Sequence, residues 1–270
     1  MRASLAFQKY EGLGNDFIVV ETRDPGQVTP DGARRLCDRH FGVGGDGVLL
    51  VLPPEAPQHD ARMIVINADG SVPEMCGNGV RCVALHLGRA RGLRSGIVRI
   101  ETAAGARACT IEDAAGEGMV TVDMGLARVG EERALEFQGE RATFTLADVG
   151  NPHAVVFGAF TREDVERLGA RIALHPDFPG GINVEFARAQ GGEIDLVVWE
   201  RGVGITLACG TGACAAAAVA CSKGMASYQV PIAVRLPGGP LQVRVEEGGR
   251  ASMRGPARYV FRGATDLALA

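Results

Sequence analysis

Along the chain, apolar and polar residues alternate in short runs separated by glycine-rich turns. Period-two alternation puts successive side chains on opposite faces of a strand, so these runs predict half-buried strands of mainly antiparallel sheets. The candidates are DFIVVE (16–21), VLLVL (48–52), RMIVIN (62–67), IVRIE (97–101), MVTVDM (119–124), RATFTL (141–146), NVEFA (183–187), EIDLVVWE (193–200), IAVRL (232–236), LQVRVEE (241–247) and RYVFR (258–262). Helical patterns are fewer. TPDGARRLCDRHF (29–41) opens with Thr29 and Pro30, a cap and a first-turn residue, and puts Ala33, Leu36, Cys37 and Phe41 on one face. TREDVERLGARI (161–172) opens with a capping box, Thr161 and Asp164. After Cys76, residues Val80, Val83, Ala84 and Leu87 follow helical spacing, and after Cys209 the run GTGACAAAAVACSKG consists almost wholly of small residues. Such small faces let a helix sit close inside a curled sheet.

Both of the latter helices open with Cys-Gly-x-Gly, about half the chain apart, and strands flank each. That repetition is the trace of an internal duplication. It predicts an N-terminal half over residues 1–115 carrying Cys76, a C-terminal half over 116–260 carrying Cys209, and a tail over 261–270 packing back on the first half. EDAAGEG (112–118) is the linker candidate. The fold class expected is α+β.

Composition narrows the function. A net charge of −4 with no polybasic run argues against a nucleic-acid footprint. Ten Phe, 3 Tyr and 1 Trp make no base-stacking platform. Lys9 and Lys223 are the only lysines, which disfavours a pyridoxal enzyme with its Schiff-base lysine. The 7 cysteines (37, 76, 82, 109, 209, 214 and 221) are odd in number and form no CxxC pair, so a disulfide scaffold is not expected. No stretch approaches about 18 uncharged apolar residues, so no membrane span is expected. The first residues show no signal-peptide pattern, and a cytoplasmic location follows as the expectation.

Glycine, at 38 residues, is about twice its usual share. GVGGDG (42–47) matches G-x-G-x-x-G literally, but it follows a helix and enters a strand, the reverse of a dinucleotide fingerprint. It reads as a turn. GLGND (12–16) and LPGGPL (236–241) also read as turns, although Asn15 is placed to offer its amide to a ligand.

The chemistry lies at the two cysteine helices. A cysteine at a helix N-cap sits at the positive end of the dipole, which favours thiolate. The glycines that follow open the backbone N–H groups to an anionic ligand. Three readings compete: buried caps of packed helices, a metal site, and two thiols facing a common site. The spacings Cys76/Cys82 and Cys209/Cys214 match no usual zinc pattern, so no metal is expected. Two thiols on opposite faces of a carbon remove a proton from one side and supply one from the other, which inverts a stereocentre.

The segment N-x-D-G-S-x4-C-G-N-G-x-R, matched from Asn67 to Arg81, resembles the signature of the diaminopimelate epimerase family. The resemblance continues through GLGNDF (12–17), GNPHAVVF (150–157), INVEF (182–186), ERG (200–202), ACGTGAC (208–214) and LPGG (236–239). It implies two similar, pseudo-symmetric halves, each a largely antiparallel sheet wrapped around a central helix, with the site between them. It also implies a cofactor-independent reaction interconverting LL- and meso-2,6-diaminoheptanedioate in lysine and cell-wall biosynthesis.

Carried onto this sequence, the resemblance makes Cys76 and Cys209 the catalytic acid–base pair, with Cys209 expected to abstract from the LL isomer. His153 and Glu200 would tune the thiols. Substrate contacts would come from Asn15, Asn67, Asn151, Asn183, Glu200 and Arg201, with Gly77, Asn78, Gly210 and Thr211 holding the α-carboxylate. Arg201 suits a carboxylate because guanidinium pairs with it bidentately. The partner expected is a small amino-acid substrate, with a homodimer as one expectation for assembly. Two positions depart from the family pattern: Gly47 where some relatives have Gln, and Ile205 in place of the glutamate of Gly-Glu-Thr. Proline and hydroxyproline racemases carry His after the first Cys-Gly, where Asn78 stands here, and D-R-S where this chain has Glu200-Arg201-Gly202. A relaxed amino-acid racemase, or a thiol protein that works by redox chemistry or metal binding, would carry the same pair of cysteines.

Overall fold

The alternating runs fold as strands in this computed structural model, which describes residues 4–114, 118–137 and 140–266. In chain order the elements are β1 (Leu5–Gly12), β2 (Asn15–Glu21), α1 (Pro30–Cys37), β3 (Gly47–Leu52), β4 (Ala61–Asn67), α2 (Gly77–Ala90), β5 (Gly96–Glu101), β6 (Arg107–Ile111) and β7 (Met119–Leu126). There follow β8 (Arg128–Phe137), β9 (Glu140–Asp148), β10 (Pro152–Phe157), α3 (Arg162–Ala173), β11 (Asn183–Gln190), β12 (Glu193–Glu200), β13 (Gly204–Thr206) and α4 (Gly210–Ser222). The last strands are β14 (Ile232–Leu236), β15 (Gly239–Val245), β16 (Arg250–Pro256) and β17 (Arg258–Thr265). The chain divides into two units: one runs to Val122 and resumes at Gly255, and the other is Asp123–Arg254.

Each unit has the same wiring. In the first, the strand order is β17-β1-β2-β3-β4-β5-β6-β7, antiparallel except at β2–β3 and β4–β5. In the second it is β8-β9-β10-β11-β12-β14-β15-β16, antiparallel except at β10–β11 and β12–β14. A parallel pair needs a crossover, and a helix supplies each one. Helices α1 and α3 make the first crossover in their units, and α2 and α4 the second. The fold class is α+β.

The registers align the units residue by residue. Phe17 opposite Gly47 matches His153 opposite Asn183. Val48 opposite Ile66 matches Val184 opposite Trp199. Asn15 therefore corresponds to Asn151, Leu49 to Glu185 and Asn67 to Glu200.

Helix α2 packs against β1 to β6 and β17, and α4 against the equivalent strands β8 to β12, β14 and β15. Every residue from Gly77 to Gly88 is buried, as is every one from Gly210 to Cys221. The alanines of α4 thus serve close packing on all sides. On the other face, α1 joins Ile18, Val20, Val48 and Leu50, while α3 joins Ala154, Val156, Val184 and Phe186. With both faces covered, β3 is buried along its whole length and reads as a continuous apolar run.

Several expectations are corrected. Helix α1 ends at Cys37, short of residue 41. The Asp38 side chain accepts from His40 N at 2.7 Å and Phe41 N at 2.8 Å, which turns the chain and leaves Phe41 86% exposed. Gly42 is required there, since a Cβ would lie 2.1 Å from Arg35 O. The linker candidate 112–118, of which 115–117 lie outside the described residues, connects β6 to β7 within one unit. The chain leaves that unit inside β7, after Val122, and returns inside β16, at Gly255. The strand expected over 258–262 runs on to Thr265 as β17, which pairs with β1 of the same unit.

Candidate active site

Cysteine replaces the usual hydroxyl or carboxylate as the N-cap of both buried helices. Cys76 has φ −138° and ψ 102°, and its Sγ accepts from Gly79 N at 3.3 Å. Cys209 has φ −127° and ψ 110°, and its Sγ accepts from Gly212 N at 3.4 Å. The third helical residue is glycine in each case. A Cβ at Gly79 would lie 3.0 Å from Leu49 Cδ2 and 3.2 Å from Cys76 Sγ. A Cβ at Gly212 would lie 2.8 Å from Glu185 Oε1 and 3.3 Å from Cys209 Sγ. Gly77 and Asn78, and Gly210 and Thr211, occupy the first two helical positions, whose N–H groups have no carbonyl within the helix to reach.

In each unit a turn asparagine grips the residue two past the cysteine. Leu13 and Gly14 take φ 57° and 79°, the two-residue hairpin turn that joins β1 to β2 and sets Asn15 at its exit. Asn15 Nδ2 donates to Asp46 Oδ2 at 2.7 Å, and Asn78 Nδ2 donates to Asn15 Oδ1 at 3.2 Å. Arg39 bridges Asp16 and Asp46, and the buried Lys9 ammonium lies 2.6 Å from Asp16. Burial works to raise the Asp16 carboxyl, but hydrogen bonds from Arg39 and Lys9 outweigh it and hold the group below its ordinary range.

In the other unit, Asn151 Nδ2 donates to Thr211 Oγ1 at 3.3 Å. The Thr211 hydroxyl lies 3.5 Å from Cys209 Sγ. Behind Asn151, His153 Nε2 meets Asn151 Oδ1 at 2.8 Å and His153 Nδ1 meets Glu185 Oε1 at 2.7 Å. Both side chains of the His153–Glu185 pair are 0% exposed. Burial pushes the Cys209 thiol well above its ordinary value, the Glu200 and Glu185 carboxylates push it further, and the Thr211 hydroxyl and Gly212 N–H act against them.

Of the other candidates, Asn183 is buried, accepts from Arg201 N at 3.0 Å and donates to Pro152 O at 3.2 Å. It thereby fixes the backbone from which the exposed Arg201 side chain projects. Arg201 Nη1 donates to Gly180 O at 2.8 Å. Glu200 accepts from Thr206 Oγ1 at 2.6 Å, and Asn67 Nδ2 donates to Ser71 Oγ at 2.9 Å. A Cβ at Gly47 would lie 3.0 Å from Ile66 O, and Ile205 packs into the apolar cluster with Trp199. Sequence reasoning missed Glu185 and Asp46. The signal for Glu185 was a lone acid in an otherwise apolar strand run. No group of three or more metal-ligating side chains occurs among the described residues.

Two equivalent units, each with a cysteine-capped helix inside its sheet, define a fold shared with racemases and other isomerases. A hydroxyproline epimerase from Agrobacterium vitis with bound trans-4-hydroxy-L-proline superposes with a TM-score of 0.77 at 19% identity, over 98% of this chain and 94% of that one. A predicted epimerase from Pseudomonas aeruginosa gives a TM-score of 0.76 at 17% identity, over 98% and 100% of the two chains.

Sequence comparison is more specific. The diaminopimelate epimerase family model matches residues 7–129 and 145–260. A diaminopimelate epimerase from Acaryochloris marina is 42% identical over 95% of this chain and 97% of its own. One from Desulfitobacterium hafniense is 40% identical over 94% and 96%. The chain belongs to the diaminopimelate epimerase family and is an isomerase.

Proposed function

We propose that this isomerase interconverts LL- and meso-diaminopimelate by proton transfer between the substrate α-carbon and two thiols, Cys76 and Cys209. The observation that carries the reading is the repeated sulfur cap: two topologically equivalent helices begin with cysteine in the same conformation, each followed by glycine. For the LL isomer, Cys209 thiolate takes the α-proton and Cys76 thiol supplies one to the opposite face. The roles exchange for the meso isomer. Without an imine, the electrons left on the α-carbon flow toward the α-carboxylate, and the N–H groups at Gly77–Asn78 and Gly210–Thr211 stabilise that charge.

Glu200 opposes ionisation of Cys209, so the substrate's own ammonium group, bound beside Glu200, favours the thiolate when it is needed. Arg201 anchors the distal carboxylate, while Asn15, Asn67, Asn151 and Asn183 shape the polar surroundings. His153 acts on Cys209 through Asn151 and Thr211. The reading includes a cytoplasmic homodimer acting in lysine and cell-wall biosynthesis. No described helix is long and apolar enough to cross a membrane.

The test is epimerisation of LL-diaminopimelate without added cofactor, beside proline, lysine and histidine as rival substrates. Cys76→Ser and Cys209→Ser should each lose about 100-fold or more in kcat, the scale of a missing acid–base group. Near wild-type rates in either variant refute the two-thiol mechanism.

A further inference from the structure

We infer that Glu185 is a positioning residue: by holding His153 as a donor from both ring nitrogens, it orients Asn151 so that the Thr211 hydroxyl proton is free to point at Cys209 Sγ. The inference rests on the two-thiol reading and adds to it the group that sets the direction of the hydrogen bonds at one thiol.

His153 Nδ1 faces the Glu185 carboxylate at 2.7 Å, and Nε2 faces the Asn151 carbonyl oxygen at 2.8 Å. A carboxylate and an amide oxygen both accept, so this arrangement is complete only when both ring nitrogens donate. With its oxygen so engaged, the Asn151 amide turns its nitrogen to Thr211 Oγ1. Thr211 then accepts from Asn151, and its own proton is available to the sulfur 3.5 Å away. Each link fixes the next, from a buried carboxylate to the reactive sulfur.

The fold itself does not require this acid. Its counterpart in the other unit is Leu49, and the counterpart of His153 is Phe17, both buried at the same register positions. An apolar pair thus fills the equivalent space beneath Cys76. Moreover, Glu185 Oε2 is buried with no hydrogen-bond partner among the described residues. A buried, half-satisfied carboxylate is costly, and replacing a buried ion pair by apolar groups of similar volume is often neutral or stabilising. Glu185 therefore stands where stability alone would favour a leucine.

Replacing the carboxylate by an amide removes the reason for the ring to donate twice. In Glu185→Gln, His153 donates from Nδ1 to the new carbonyl and leaves Nε2 bare. Asn151 then turns over to donate to Nε2, its oxygen accepts the Thr211 proton, and the sulfur loses its donor. Thr211→Val removes the same donor directly, so the two changes should not multiply.

The experiment is a double-mutant cycle on kcat/KM for LL-diaminopimelate, with Glu185→Asp as the conservative control. Thr211→Val should lower kcat/KM about tenfold in the parent protein, the scale of a hydrogen bond to a charged group, and less than about twofold in the Glu185→Gln background. Glu185→Asp should keep the parent pattern. Equal factors in both backgrounds, or wild-type kcat/KM in Glu185→Gln, would overturn the inference. Nitrogen-15 spectra of the histidine-labelled proteins give a second reading that needs no turnover. His153 should carry protons on both ring nitrogens in the wild type and on one in Glu185→Gln, and a bare nitrogen in the wild type overturns the inference. An enzyme inactive on diaminopimelate whose spectra show this change would instead refute the substrate reading alone.

Discussion

The two cysteine caps share their backbone geometry and differ in what lies beneath them. Under Cys76 the sheet presents Phe17 and Leu49, and the turn residue Asn15 is held by Asp46 near the surface. Under Cys209 it presents His153 and Glu185, and Asn151 is held by that buried pair. The loop amides also run in opposite senses: Asn15 accepts from Asn78, while Asn151 donates to Thr211. The same contrast extends to the strand ends, where Asn67-Ala68 in one unit corresponds to Glu200-Arg201 in the other. The two thiol mounts are alike in backbone, and a buried His–Glu pair lies beneath only one of them. The proposed reaction, with one thiol as base and the other as acid, has use for that inequality.

The largest difference should appear at the glycines three residues past each cysteine. At Gly212 a new Cβ meets a carboxylate oxygen fixed by His153, whereas at Gly79 it meets the end of a leucine that can rotate away. Gly212→Ala should lower kcat/KM by about 100-fold and Gly79→Ala by about tenfold, because displacing a reacting group by about 1 Å costs on that scale. Steady-state kinetics of both variants would break the comparison if the losses were equal.

A smaller effect tests where substrate charge is recognised. Arg201→Met should raise KM for diaminopimelate about tenfold with little change in kcat, as expected for loss of uniform binding to a carboxylate. An equal rise in Asn67→Ala would place that recognition in both units.

The smallest effect concerns the resting thiol. Burial first, then Glu200 and Glu185, raise the Cys209 thiol above its ordinary value, so its thiolate fraction is low at pH 7 and grows as pH rises well past the range of a free cysteine. Alkylation by iodoacetamide, followed by peptide mass spectrometry, should therefore be slower at Cys209 than in a cysteine peptide at pH 7, and should accelerate with increasing pH. Reaction at the rate of the free thiol at pH 7 would contradict this.

Much of the fold was legible because its signals are local. Thr161 and Asp164 form the expected capping box, and β3, β4, β11 and β12 follow their apolar runs. Strand β8 escaped because most of its side chains are exposed, so no alternation marks it. In β1 a buried lysine interrupts the apolar pattern: Lys9 is neutralised by Asp16, a partner set by tertiary pairing. The unit boundaries were also hidden, since the chain changes unit inside β7 and β16, where no composition shift occurs.

The candidate site divides in the same way. Cys76 and Cys209 declare themselves by motif and helix start, and the structure makes both N-caps. Glu185 and Asp46 lie outside those motifs' chemistry, and their partners come from other strands and loops, so only the register reveals them.

Isotope exchange tests the two-thiol claim most directly. A sulfur holds at most one proton, so in D2O the donor thiol, Cys76 for the LL isomer, exchanges before turnover and delivers deuterium, while the proton removed from the substrate stays on Cys209. Early in the conversion of LL-diaminopimelate, the meso product should carry deuterium at the inverted carbon and the remaining LL substrate should not. A meso product that retains the original hydrogen would contradict the account.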